Sequence, residues 1–219
     1  MPLRAVLWDM DGLLVDTEPV WTTAEQELAG RLGGVWSDQL KASIAGTRLD
    51  AAVPAILEHY GSAAGPTEVA EASGWLLARM VQLFTCVPLV LPGVLDLLAL
   101  LRSAGVPVGL VSSSYRVLVD AVLAHGLGPF DVTLCGDEVM HGKPHPEPYL
   151  TAAARLGVPA SDCVVLEDSA AGVLAGEAAG CAVLAVPSVV GVTILPKPRI
   201  LVRASLVGVD LDTLRALVS

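Results

Sequence analysis

Two aspartates separated by one residue, Asp9 and Asp11, stand at the end of the first apolar run of the chain, in Trp8-Asp9-Met10-Asp11-Gly12-Leu13-Leu14-Val15-Asp16. Carboxylates this close repel, and unless a cation or a shared proton intervenes one of them is driven neutral. Either resolution does chemistry. A divalent metal keeps Asp9 ionised as a nucleophile, and a second carboxyl that holds its proton serves as a general acid. Asp-x-Asp-Gly also occurs in calcium loops, but those need oxygen ligands at their fifth and twelfth positions and glycine at the sixth. The chain has Leu13, Val20 and Leu14 there, which rules that reading out. An isolated Asp-Gly also makes a plain turn, so the other ends of apolar runs decide between turn and site.

Three further stretches carry groups that fit such a centre. Ser112 follows an apolar run in Val111-Ser112-Ser113-Ser114, Glu167 and Asp168 follow another in Leu166-Glu167-Asp168-Ser169, and Lys143 sits in Gly142-Lys143-Pro144-His145-Pro146. Each has an ordinary structural use: serine caps helices, acids favour a helix N-terminus, and lysine is mostly a solvated surface residue. Two features set Lys143 apart. The chain has three lysines in all, and prolines fix the loop that holds this one just after a strand pattern. A lysine held so neutralises an aspartate pair and clamps a phosphate as a point charge. His141 and His145 have zinc-ligand spacing, but Pro144 and Pro146 remove the helical face that spacing would use, so zinc is not expected. Taken jointly, the aspartate pair, Ser112, Lys143, Glu167 and Asp168 describe a metal and phosphate site.

These residues meet only if the elements ending in them are neighbours. Arg4–Trp8 is short, apolar and bounded by turn signals, a buried strand, and parallel sheets carry their chemistry just beyond the carboxyl ends of their strands. From Leu89 onward strand and helix patterns alternate. Val106–Val111, Phe130–Cys135, Cys163–Leu166 and Cys181–Val186 read as strands; Pro92–Gly105, Tyr115–His125, Glu147–Leu156 and the run from Ser169 to Ala179 read as helices. Ile200–Val202 and Asp210–Val218 add one strand and one helix. This alternation predicts an α/β fold with a doubly wound parallel sheet. Between Val15 and Val87 there is no strand pattern. Thr17 caps a helix with Pro19 in its first turn, ended by Gly33-Gly34; Ser37 caps a short one before Gly46; a third spans Leu49–Tyr60, interrupted by Pro54; a fourth spans Pro66–Phe84. Residues 17–87 are therefore expected to form a helical cap inserted into a core of 1–16 and 88–219, joined by crossings near Asp16 and Pro88.

The 219 residues suffice for one core and a smaller second unit, and 53% hydrophobic with 16% charged residues describes a globular chain with a large interior. A net charge of −10 argues against nucleic acid or an anionic membrane as partner. An anionic substrate would need a locally positive site. Cys86, Cys135, Cys163 and Cys181 form no Cys-x-x-Cys pair and read as reduced, mostly buried thiols. With no signal-peptide pattern and no apolar stretch of membrane-spanning length, a soluble cytoplasmic protein is expected, and a monomer, since the site calls for no second chain.

In order and context, Asp9-Met10-Asp11-Gly12 with Asp16-Thr17-Glu18, Leu91-Pro92-Gly93, Val111-Ser112-Ser113-Ser114, Gly142-Lys143-Pro144-His145-Pro146 and Leu166-Glu167-Asp168-Ser169 with Ala171-Gly172 resemble the haloacid dehalogenase superfamily. The likeness covers nearly the whole chain and points to the branch of beta-phosphoglucomutase and the sugar-phosphate phosphatases. The resemblance implies a Rossmann-like core and a cap that closes over the site. It implies Asp9 as nucleophile forming an aspartyl-phosphate and Asp11 as the acid that protonates the leaving oxygen. Magnesium would be held by the Asp9 carboxylate, the Asp11 backbone carbonyl and Asp168, with Glu167 in or beside that shell. Ser112, the Ser113 amide and Lys143 would bind the phosphoryl oxygens, a distribution that suits the charge a transferring phosphoryl group spreads over them.

Within that family the acid two residues after the nucleophile argues against a haloacid dehalogenase, and Arg rather than Lys in Gly46-Thr47-Arg48 argues against a phosphonate hydrolase, with Lys41 the one lysine of the cap. Mutases of the family resemble this chain but carry a cap-hinge histidine where Trp21 stands, and a cap lysine where Trp75–Arg79 has none. Arg48 either contacts a distal group of the substrate or is an exposed helix-start arginine. The expectation is a magnesium-dependent phosphatase of a small phosphorylated metabolite, a sugar or polyol phosphate. A hexose-phosphate mutase is the rival, and a phospho-acceptor signalling domain is the alternative of another class.

Overall fold

The computed structural model describes residues 2–44, 47–84, 89–188 and 194–219. In chain order, β1 (Ala5–Trp8) and β2 (Val15–Asp16) precede four helices, α1 (Glu18–Arg31), α2 (Asp38–Ile44), α3 (Leu49–His59) and α4 (Pro66–Leu83). There follow β3 (Leu89–Val90), α5 (Val94–Ser103), β4 (Val108–Val111), α6 (Arg116–Leu123), β5 (Val132–Leu134), α7 (Glu147–Arg155), β6 (Cys163–Glu167), α8 (Ala170–Ala178), β7 (Ala182–Ala185), β8 (Ile200–Val202) and α9 (Leu211–Val218). Six strands pair in parallel in the order β5-β4-β1-β6-β7-β8.

Every residue of β1 is buried, because both faces of the sheet are covered. Val6 and Trp8 face α5, α6 and α9, together with Leu110 and Leu166; Ala5 and Leu7 face α7 and α8, together with Val111 and Val165. That alternation is the two-residue period of a strand, and it explains why β1 reads as an unbroken apolar run. The chain goes from β1 to β4 on one side, and β6 lies on the other. The order of connection thus reverses at β1, and a crevice opens beyond the carboxyl ends of β1, β4 and β6.

The helical insertion hangs from a second, two-stranded antiparallel sheet, in which Val15 of β2 faces Val90 of β3 and Asp16 faces Leu89. Its interior is continuous with one face of the main sheet, since Leu28, Ile56, Leu76 and Met80 share a buried cluster with Met10, Leu14 and Trp8. The expected crossing at Pro88, the helix limit at Gly46 and Cys86 lie outside the described residues. Cys135, Cys163 and Cys181 are free and buried, and burial pushes their thiols up to about 12, 11 and 12.

Two local expectations are corrected. α3 runs straight through Pro54. Proline removes the bond to the carbonyl of residue 50, and Asp50 lies on the exposed side of the helix, where losing that bond costs least. Thr17 precedes α1 but makes no capping bond; its hydroxyl is committed elsewhere. The strands are shorter than their apolar runs, β4 by the two residues Val106-Pro107, because proline cannot donate to the ladder.

Candidate active site

Asp9 is the first residue past β1, 6% exposed, with its backbone N–H donated to the carbonyl of Leu166 at 3.0 Å. Its side chain meets Lys143, brought in by the proline-braced loop before α7. The Lys143 ammonium lies 2.5 Å from Asp9 Oδ1 and 2.6 Å from Glu167 Oε1, and donates to the Val111 carbonyl at 2.9 Å. Lys143 is 8% exposed. Burial pulls its ammonium down, but Asp9 and Glu167 push it up further, so it stays charged. The lysine bridges the ends of β1, β4 and β6.

Asp11 sits among four donors. Thr17 Oγ1 (2.7 Å) and Trp21 Nε1 (3.3 Å) reach Oδ1 from the start of α1, while Ser112 Oγ (3.1 Å) and Ser114 Oγ (2.8 Å) reach Oδ2 from the end of β4. Ser112 Oγ also accepts the Ser114 amide at 2.9 Å, which fixes the turn after β4. From sequence, Thr17 has the place of a helix cap, Trp21 stands where the mutases carry their cap-hinge histidine and Ser114 has no assigned role; the structure puts all three on Asp11. Thr17 and Trp21 are four apart, one helical turn, and that spacing is the signal that both face the same carboxylate.

Glu167 is fully buried and fully engaged. Oε1 accepts from Lys143 and from Tyr149 at 2.8 Å, and Oε2 accepts from the amides of Asp168 and Ser169 and from Ser169 Oγ, each at 3.0 Å. Burial alone would raise this carboxyl; Lys143, the Ser169 amide and Tyr149 outweigh it and hold it below the ordinary range. Its position demands Gly172, since a Cβ there would fall on the Glu167 carboxylate. Asp168 accepts from Ser188 Oγ and packs over Gly12, whose φ of +78° and missing side chain allow the approach.

The negative charge of the site exceeds what one lysine balances. Burial, with Glu167 next, pushes Asp168 up to about 8. Burial likewise pushes Asp9 well above the carboxylate range; Lys143 opposes this, while Glu167, Asp168 and Asp11 add to it. Oxygen atoms of Asp9, Glu167 and Asp168 lie within 4.8 Å of one another, so a hard divalent cation would find both the donors and the uncompensated charge it requires.

The crevice continues into a cavity of about 500 Å³ walled by the helical insertion. Asp9, Asp11, Ser113, Ser114, Lys143 and Asp168 line one end, while Glu18, Glu25, Lys41, Ile56 and Leu76 belong to the insertion. Arg48 is turned to the core instead. It donates to the carbonyls of Val139 (3.0 Å) and Met140 (3.3 Å) and pairs with Asp50 at 2.5 Å. The same loop brings His141 and His145 to ring centroids 4.6 Å apart without a helix, so the prolines do not separate them. Glu147 beside them accepts from the Met140 and His141 amides and bonds the His141 ring, bracing the loop that carries Lys143. Tyr149 and Ser188 were not foreseen. Tyr149 lies two residues into α7, whereas Ser188 follows β7 in an irregular stretch and has no sequence signal.

The model of haloacid dehalogenase-like hydrolases matches residues 3–180. Hexitol phosphatase B of Escherichia coli (strain K12) is 35% identical over 191 residues, 85% of this chain and 84% of that protein. A variant of CbbY from Rhodobacter sphaeroides in complex with xylulose-1,5-bisphosphate has a TM-score of 0.83 at 25% identity, covering 97% of this chain and 99% of that one. Beta-phosphoglucomutase from Clostridium difficile has a TM-score of 0.85 at 24% identity, covering 100% and 97%, a likeness of fold. Sheet order, the buried lysine and these relatives lead to one assignment: the chain belongs to the haloacid dehalogenase-like hydrolase family and is an enzyme of its phosphoric monoester hydrolase branch.

Proposed function

We propose that the chain is a magnesium-dependent phosphatase of a small phosphorylated metabolite, a sugar or polyol phosphate, working through a phosphoryl group carried on Asp9. The observation that carries this reading is the buried Lys143 bridge between Asp9 and Glu167 at the reversal point of the sheet. Lys143 fixes Asp9 Oδ1, and Oδ2 is the oxygen we assign to attack on phosphorus. As that bond forms, the ester P–O bond breaks and Asp11 gives its proton to the leaving oxygen. Asp11 then takes a proton from the water that attacks phosphorus, and the Asp9–phosphorus bond breaks to release phosphate. Ser112, the Ser113 amide and Lys143 bind the phosphoryl oxygens, the Ser112 hydroxyl turning from Asp11 to do so.

The Asp9 and Asp168 carboxylates, with the Asp11 backbone carbonyl, would hold magnesium, which when bound offsets the charge on the phosphoryl oxygens. Glu167 belongs beside that shell, because both of its oxygens already serve Lys143, Tyr149 and the start of α8. Residues 17–87 act as the cap that selects the leaving group, consistent with their share of the cavity wall. All site groups come from one chain, which suits a monomer, and the buried free thiols suit a cytoplasmic setting. Among the described residues no helix is long and apolar enough to cross a membrane.

Trp21 favours hydrolysis over a mutase, since an indole N–H donates to Asp11 but does not take up a proton. The test is phosphate release, with and without magnesium, across sugar, polyol and nucleotide monophosphates, with beta-glucose 1-phosphate also scored for conversion to glucose 6-phosphate. Magnesium-dependent release is expected. Isomerisation with little release would establish the mutase, and a single phosphoryl transfer per chain without turnover would establish a phospho-acceptor domain.

A further inference from the structure

Among the described residues, the insertion's share of the cavity wall is apolar except for Thr47 and one charged island. Glu18, Trp21 and Glu25 share a face of α1, at the i, i+3, i+7 spacing of one helical stripe. Trp21 touches Asp11, and Glu25 lies one turn further on, about 6 Å along the axis. Opposite them, Lys41 of α2 hydrogen-bonds Thr22, pairs with Glu18 at 2.7 Å and stands 3.9 Å from Glu25 Oε2.

Glu25 is the anomaly. It is 8% exposed, it lines the cavity, and its Oε2 is buried without a hydrogen-bond donor. Buried polar atoms are almost always paired, so an orphaned carboxylate oxygen on a residue that lines the cavity calls for a donor that arrives with the ligand. The charge of the island narrows the choice. Two carboxylates face one ammonium already paired with Glu18, and the other lysine lining the cavity, Lys143, belongs to the phosphoryl end. Arg48 is held by the Val139 and Met140 carbonyls and by Asp50. Among the described residues lining this end, no cation is left for a second anionic group, while the carboxylate accepts from hydroxyls and the ammonium beside it donates to them.

We infer that Glu25 and Lys41 form the recognition site for the hydroxyls of an uncharged polyhydroxylated leaving group, and that the negative balance of this end rejects substrates with a second anion. This rests on the phosphatase reading and deepens it. The distance from Trp21 to Glu25 suits hydroxyls several carbons from the ester oxygen, so open-chain polyol and hexose monophosphates fit and short acids do not.

The test compares the wild type and Glu25→Gln on sorbitol 6-phosphate, p-nitrophenyl phosphate, fructose 1,6-bisphosphate and glucosamine 6-phosphate, together with calorimetric binding of sorbitol 6-phosphate to Asp9→Asn with and without Glu25→Gln. The expected result is a tenfold or greater rise in KM for sorbitol 6-phosphate with kcat changed less than threefold. The loss on that substrate should exceed the loss on p-nitrophenyl phosphate at least tenfold, and sorbitol 6-phosphate affinity should fall by a similar factor. Wild-type kcat/KM for the bisphosphate should lie at least tenfold below that for the hexitol phosphate. Equal losses on the hexitol and aryl esters, or unchanged binding, would overturn the assignment, as would a tenfold preference for glucosamine 6-phosphate, which would make the island an ammonium site. If no ester is hydrolysed, the phosphatase reading fails, and the binding comparison still decides for or against Glu25.

Discussion

Trp21→Phe removes a single donor, the indole N–H 3.3 Å from Asp11 Oδ1, and leaves the ring that packs at the start of α1. A hydrogen bond of this kind contributes about 0.5–1.5 kcal/mol, so kcat should fall about 3–10-fold with little change in KM, read from steady-state kinetics. Unchanged kcat would mean that Trp21 does not position the acid. Glu25 makes the opposite kind of prediction. Burial raises its carboxyl from 4.5 to about 7, Glu18 adding to the rise and Lys41 opposing it. A folded value above the unfolded one means the native state binds the proton more tightly, so this group's contribution falls as pH rises from about 4.5 through about 7. Glu25→Gln should therefore be more stable than the wild type at pH 8, by up to about 3 kcal/mol, and nearly equal at pH 4.5. Denaturant melts at the two pH values check it, and the same melts in either order of stability at pH 8 decide whether the orphaned oxygen carries a cost. At this scale the meeting of Asp9, Asp11, Ser112, Lys143, Glu167 and Asp168 is legible because several stretches can be matched at once, and the structure brings these side chains together. The sequence is less legible where one residue has two legitimate uses. Thr17 has the type and place of a helix cap, and only the folded position of Asp11 shows where its hydroxyl goes.

The turn from β6 into α8 shows how an element positions the site. Glu167 ends the strand, Ser169 caps the helix by accepting the Gly172 amide at 3.0 Å, and Gly172 leaves room for the Glu167 carboxylate. Glycine in a helix usually costs about 0.5–1 kcal/mol relative to alanine. Here the sign should reverse: Gly172→Ala places a Cβ on Glu167, and we expect a loss of about 1–3 kcal/mol together with most of the activity, because Lys143 loses its second carboxylate. A variant as stable and active as the wild type would show that Glu167 does not anchor the lysine. Elements as a whole were legible because strands buried on both faces, such as β1 and β6, read as continuous apolar runs. The uninterrupted α3 was not, since proline chemistry argues for a break at Pro54 and only exposure of the Asp50 side shows why none occurs. Ser188 illustrates the other limit: an irregular loop has no period from which its contact with Asp168 can be read.

For the molecule as a whole, the order β5-β4-β1-β6-β7-β8 places the ends of three strands from distant parts of the chain around one crevice, and the insertion roofs it. Burial at that convergence, with the neighbouring carboxylates adding to it, raises Asp9 well above its ordinary value and pushes Asp168 up to about 8, which opposes the ionisation of both. Metal binding must displace those protons, so magnesium should raise the melting temperature more at pH 8.5 than at pH 6, and chelation should abolish turnover until magnesium is restored. An equal shift at both pH values would separate the metal from these carboxylates. The most direct test of the account is acid quenching within the first turnover of enzyme mixed with labelled sorbitol 6-phosphate and magnesium, followed by peptide mapping. The expected result is a hydroxylamine-labile phosphoryl group on the peptide containing Asp9, absent in Asp9→Asn, whose kcat falls on the order of 10³-fold or more while its melting temperature is retained. Turnover without any label on that peptide, or full activity in Asp9→Asn, would contradict it.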